Sequence, residues 1–279
     1  MIAIYGYNEI LKDIKGLKNA YPDEVCAGFW GFSRKGRKIP FVKVGRGKKK
    51  LLVLGAIHSR EWVSSRFIVK LLEKALKFRE SCLEVATFYL LPMVNPDGVE
   101  IFWGRESLCI TEKDFNPKIF KNNANNINLN ANFPYKFSAV PAARQGGCAA
   151  CSEGETKAVV DICKKIPFDA AVSLHARGNC IFWSDMGNGI VKGDFELAKA
   201  LEENCGFELM KPTENAEDYS GGFENWFRHS FGKPALCVEL VKDEDTAFEN
   251  MQENFEKWVI WEKTSEFLQV FAKFTRNLN

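Results

Sequence analysis

LLVLGAIHSREW, residues 51–62, decides the reading of this chain. Seven apolar residues (51–57) stop abruptly at a polar cluster that holds His58, Arg60 and Glu61. An apolar run of that length, without polar alternation, suits a strand covered on both faces. Three more such runs follow: VATFYLLPMV (85–94), FDAAVSL (168–174) and PALCVEL (234–240). Asn95-Pro96-Asp97-Gly98 comes after the second and His175 after the third, while Glu239 lies inside the fourth. Helical apolar periodicity marks 7–20, 62–79 and 153–166, and the stretch 246–275 reads as one long helix or two. Residues 27–32 and 39–44 flank Arg34-Lys35-Gly36-Arg37 as a hairpin. Strands alternating with helices predict an α/β fold with an open, doubly wound sheet, in which ligands bind at the carboxyl ends of the strands. Four strand ends would then bring polar groups to one edge.

Composition narrows the function. The 279 residues, 46% of them hydrophobic, are enough to bury a large core, and no linker or repeat divides them, so one domain over 1–279 is expected. With 38 basic and 36 acidic residues the net charge is +2. That balance carries no footprint for nucleic acid or a membrane surface, and the basic run 48–50 reads as a solvated turn. No window approaches the ~20 apolar residues of a membrane span, and the N-terminus lacks the pattern of a signal peptide. Nine scattered cysteines are expected to be reduced thiols in a cytoplasmic protein. Cys148 and Cys151 have the spacing of a redox or zinc half-site, but no second C-x-x-C accompanies them.

The chain has three histidines, His58, His175 and His229. His58 and Glu61 stand three apart at a strand-to-helix turn, where both side chains can reach one ion. His175 leaves another apolar strand directly. A catalytic zinc takes three protein ligands and keeps a fourth position open, and two histidines with one glutamate are a standard set. His229, on a helical stretch, reads as structural. Glu239 is costly to bury without a partner or a metal, and beside a metal it suits a general base.

The motifs HSREW (58–62), NPDG (95–98), NLNANFP (128–134), SEGET (152–156), SLH (173–175), SGGFENW (220–226) and PALCVEL (234–240) resemble, in order, those of the zinc carboxypeptidases. The resemblance runs from about residue 7 to 241. It implies a single α/β domain around a mixed, twisted sheet of about eight strands with helices on both faces. It implies one zinc per chain on His58, Glu61 and His175, with Glu239 as general base. Where the family has Asn-Arg to hold the substrate's carboxylate, this chain has Asn130-Ala131. Arg177, in His175-Ala176-Arg177-Gly178, is expected to take over that task, as in similar bacterial peptidases that cut γ-D-glutamyl–diamino acid bonds of peptidoglycan. Glu224 falls at the floor of the family's specificity pocket, where a carboxylate favours a cationic side chain. Glu217 falls where the family has a tyrosine, and Tyr219 is the neighbouring substitute. For the cation facing the oxyanion, Lys121 aligns best and Arg105 is the other option.

The sequence thus predicts a zinc peptidase acting on a short peptide, with a muropeptide favoured. The alternatives are conventional carboxypeptidase or small-amide deacylase activity on the same fold, a peptide binder without catalysis, and a redox protein built on Cys148 and Cys151.

Overall fold

β1 (Val25–Phe32) and β2 (Lys38–Val44) form the expected hairpin, which turns at Ser33–Arg37 with Gly36 at φ +84°. Ser33 N donates to Arg37 O at 2.8 Å. This computed structural model describes residues 4–110, 115–185, 191–213, 215–241 and 264–276. β2 pairs antiparallel with β4 (Ala86–Leu91). Beyond it the buried runs become parallel neighbours: β4 with β3 (Lys49–Gly55), β3 with β5 (Ala170–Ala176), and β5 with β8 (Ala235–Leu240). Two short strands, β6 (Cys180–Phe182) and β7 (Glu208–Leu209), complete an eight-stranded mixed sheet in the order β1-β2-β4-β3-β5-β8-β6-β7.

Alternation along β3 divides the core. Leu51 and Val53 pack with α1 (Tyr7–Ala20), α2 (Val63–Lys77) and the helix Phe267–Arg276 on one face. Leu52 and Leu54 pack with α5 (Gly154–Lys165) and α8 (Phe223–Phe231) on the other. With both faces covered, the central strands can be apolar throughout. The shorter helices are α3 (Cys82–Val85), α4 (Pro96–Phe102), α6 (Asp194–Cys205) and α7 (Ala216–Tyr219). Of the C-terminal helix expected over 246–275, residues 246–263 lie outside the described residues. No described helix is long and apolar enough to cross a membrane.

The NPDG and SEGET motifs brace the hairpin against the strand ends. Asn95 caps α4 by accepting from Gly98 N, and its Nδ2 donates to Ile57 O and Asn122 O. Buried Asp97 accepts from Arg37 Nη1 and Lys35 N, each at 2.6 Å. Glu155 is fully buried and accepts from Arg34 N at 3.1 Å. Burial, aided by the charges of Asp97 and Glu153, pushes its carboxyl pKa up to about 7. A raised folded-state value means that the native chain keeps a proton which the unfolded chain has released. The contribution of Glu155 to stability is therefore full below about pH 4.5 and declines as pH rises through about 7, by up to about 3 kcal/mol. Glu155→Gln should remove that decline. Its unfolding free energy relative to wild type should rise by about 2–3 kcal/mol between pH 4.5 and 8 in urea titrations; a difference flat with pH would refute the assignment.

Candidate metal centre and active site

In the parallel register of β5 and β8, Ser173 stands opposite Cys237 and His175 opposite Glu239. Residues two apart on a strand share a face, so these four make a block on the sheet face that α5 and α8 cover. His58 follows the end of β3, where Ala56 (φ 45°) turns the chain. Ala56 N donates to Ser64 Oγ, which donates to Glu61 O, both at 2.7 Å. This closed turn aims His58 and Glu61 at His175.

The three side chains converge tightly. His58 Nδ1 is 2.8 Å from Glu61 Oε1, and His175 Nδ1 is 2.8 Å from Glu61 Oε2. The two imidazole nitrogens lie 3.2 Å apart, close to the roughly 3.3 Å edge of a tetrahedron with zinc–nitrogen bonds. The set could hold a metal ion, and it fits zinc in both donor type and spacing. A neighbour fixes the ring of His58: Asn128 Oδ1, which accepts from Asn130 N at 3.1 Å, also lies 3.1 Å from His58 Nε2. Nε2 therefore carries the proton and donates, leaving the Nδ1 lone pair for the cluster. His175 Nε2 faces Glu224 Oε1 at 3.8 Å.

The electrostatics call for a cation. Burial lowers the pKa of His58, with Glu61 opposing. Burial also acts to lower that of His175, but Glu61, Glu224 and Glu239 prevail and raise it well above its usual value. Glu61 is held far below the carboxylate range: burial raises it, and the charges of His58 and His175 outweigh that. Cys237 also reaches His175 and Glu224. Burial and nearby carboxylates raise its thiol pKa well up, so it is a poor ligand beside the first set.

Glu239 directs a carboxylate into this block. Its Oε2 is buried without a hydrogen-bond partner among the described residues. Burial, then the charges of Glu61 and Glu224, push its pKa up to about 8. Lys121 is close enough for Glu61 and Glu239 to act on its charge, and burial and Arg60 lower its pKa. Arg105 stands elsewhere: it pairs with Glu9 at 3.0 Å and approaches Glu100 at 4.0 Å, near the start of α1. Occupied there, it is not a candidate for the oxyanion.

Glu224 is buried at the first turn of α8, where Ser173 Oγ donates to it. It lines a cleft of about 420 Å³ together with Asn130 and Tyr219. Tyr219 OH accepts from Lys136 Nζ at 3.0 Å. Glu217 is exposed and serves through its backbone, as an acceptor for Arg144. Arg177 follows β5 and is half-buried outside the residues lining that cleft. His229 stacks on Tyr135, with ring centroids 4.0 Å apart, and contacts Asp185 at 3.1 Å, the structural role expected of it. Cys148 and Cys151 are unpaired, and burial raises the pKa of the Cys151 thiol, the reverse of what a redox thiolate needs.

Asn128, Ser173 and Arg144 join the site without having been singled out from the sequence. Asn128 and Ser173 lie inside quoted motifs, two residues before Asn130 and His175, so strand and turn periodicity could have found them. Arg144 arrives from an irregular loop with no such signal.

A family model for zinc carboxypeptidases matches residues 10–259. The chain belongs to this family. The γ-D-glutamyl-L-diamino acid endopeptidase 1 of Lysinibacillus sphaericus is 25% identical over 264 residues, covering 85% of this chain. The chain spans 65% of that relative's length. Carboxypeptidase B2 of Bos taurus is 26% identical over 191 residues, covering 62% of this chain and 44% of the bovine protein. Among solved structures, carboxypeptidase A of Helicoverpa armigera superposes with a TM-score of 0.79 at 18% identity, covering 98% of this chain and 74% of that one. The murein-tripeptide amidase MpaA of Escherichia coli O157 gives 0.57 at 18% identity, covering 94% and 95%. These likenesses show a shared fold. The cofactor of the family is zinc, in keeping with the donor set.

Proposed function

We propose that this zinc carboxypeptidase-family chain is a peptidase of short peptides, and that it cleaves the γ-D-glutamyl–diamino acid bond of peptidoglycan stem peptides. The observation that carries the peptidase reading is Glu239, opposite His175 on the neighbouring strand and beside the His58–Glu61–His175 set. A zinc ion on those three residues supplies a Lewis acid and lowers the pKa of water toward about 7. Glu239 takes the proton from the attacking water at its carboxylate and later hands it to the leaving amine. Lys121 supplies positive charge to the oxyanion. Glu224, a buried carboxylate lining the cleft, favours a cationic side chain such as that of lysine or diaminopimelate. The Lysinibacillus relative, named for this bond, supports the substrate class.

Glu224 also suits a second reading, removal of a basic C-terminal residue from ordinary L-peptides; the bovine relative is named a carboxypeptidase. Mass-spectrometric cleavage of L-Ala-γ-D-Glu-meso-diaminopimelate and its lysine analogue, beside all-L peptides ending in lysine, separates the two. Release of the diamino acid from the D,L-peptides is expected; turnover of the all-L peptides alone rejects the peptidoglycan reading. Glu224→Gln should shrink the preference for lysine over norleucine at that position by about 10–100-fold. An unchanged preference would remove Glu224 from recognition.

A further inference from the structure

We infer that Arg144, working with Asn130, is the anchor for the free carboxylate of the substrate's terminal diamino acid. This rests on the peptidase reading above and adds the residue that grips the substrate's end. Alanine at 131 removes the cation from the position expected to hold it, and a negatively charged end still needs one. Arg144 comes from the short helical turn Ala142–Arg144 and reaches across to the loop before α8. Its Nη1 donates to Glu217 O and Ser220 O, each at 2.8 Å, and its Nη2 to Asn130 O at 3.0 Å. Three of the five guanidinium hydrogens are thereby spent on neutral carbonyls. The Nε hydrogen and one on Nη2 have no partner among the described residues, although a guanidinium side edge is the fork that matches a carboxylate.

Its surroundings point the same way. Arg144 lines the cleft with Asn130, Glu224 and Tyr219. Asn130 Oδ1 accepts from Phe223 N at 2.9 Å, which fixes the amide and leaves Nδ2 as a further donor. Gly221 (φ +69°) lets this loop lie directly on the carbonyl of Ala131, where a side chain would collide. The anchor is thus prebuilt by backbone contacts. Burial lowers the pKa of Arg144, and the charges of Asp218 and Glu224 compensate only in part. Arg228, the other arginine in the cleft, already faces Asp194 at 3.2 Å and Asp185 at 3.7 Å. Lys211 and Asp218 also line the cleft but are exposed, so its half-buried cation is Arg144 and its buried anion is Glu224. That pair suits a residue carrying both a free carboxylate and a side-chain ammonium.

The test compares L-Ala-γ-D-Glu-L-Lys with its C-terminal carboxamide. Wild type should favour the free acid by about 100-fold in kcat/KM, chiefly through KM. Arg144→Gln should bring that ratio near one by losing the free acid alone, and Arg144→Lys should restore part of it. A merely structural role would depress both substrates together. An unchanged ratio in folded Arg144→Gln, or its collapse in Arg177→Ala instead, overturns the assignment. Should wild type cleave neither peptide, the peptidase reading fails but this one is still decided. Zinc-loaded Glu239→Gln should bind the free acid about 100-fold tighter than the amide in calorimetry, and Arg144→Gln in that background should abolish the difference. Equal binding of the two peptides, or none, refutes it.

Discussion

Glu239→Gln is expected to lower kcat by about 10³-fold while the chain keeps one zinc. Glutamine preserves the shape of the side chain and its place opposite His175 on β8. What it removes is the ability to accept a proton at a buried oxygen that no described side chain or backbone group satisfies. Burial, together with the charges of Glu61 and Glu224, pushes the Glu239 carboxyl up to about 8, within reach of the range in which a base and a later acid work best. Positive charge bound in the cluster pulls the other way and keeps the base ionised at working pH. Metal analysis and turnover on the same preparation check this. A variant that retains more than about a tenth of wild-type kcat would mean that another group moves the proton.

His175→Ala should have a larger effect on binding of the ion itself. Zinc content should fall well below one per chain, and hydrolysis should drop to background. The substitution removes one of three donors and also leaves Glu61, Glu224 and Glu239 facing one another without the imidazole between them. Removing the metal from wild type with a chelator should likewise lower stability, by about 4 kcal/mol where free zinc had stood at a thousand times Kd. Calorimetric melts with and without chelator read this directly. His229→Ala is the control: its ring lies against Tyr135 and Asp185, so metal content should not change. Full zinc occupancy in His175→Ala would overturn the ligand set.

How far the sequence was legible depends on where each group sits. α1 spans residues 7–20 as its apolar periodicity predicts, β8 lies within its apolar run, and β3 and β5 overlap theirs with a two-residue offset, because elements buried by the core write their period into the chain. β6 and β7, of three and two residues, are too short to leave a pattern. The groups of the metal cluster were legible because strand ends present them. Alignment favours Lys121 over Arg105 without excluding the latter; the structure separates them by placing Lys121 near Glu61 and Glu239 and Arg105 against Glu9. Arg144 was invisible in the sequence. Its position depends on three carbonyls contributed by two distant loops, a long-range agreement with no local signature.

The pairing of β5 with β8 also divides the chemistry from the choice of substrate. His175 and Glu239 are held in register by a parallel ladder inside the sheet, so their separation cannot drift without unzipping that ladder. Arg144 and Asn130 sit on short helical turns and Tyr219 ends the short helix α7, all outside the sheet. Drift in those turns can retune which peptide end is gripped while the proton-transfer distance stays the same. In such a frame new specificities arise cheaply at the periphery, and the rate-setting geometry passes unchanged from one to the next.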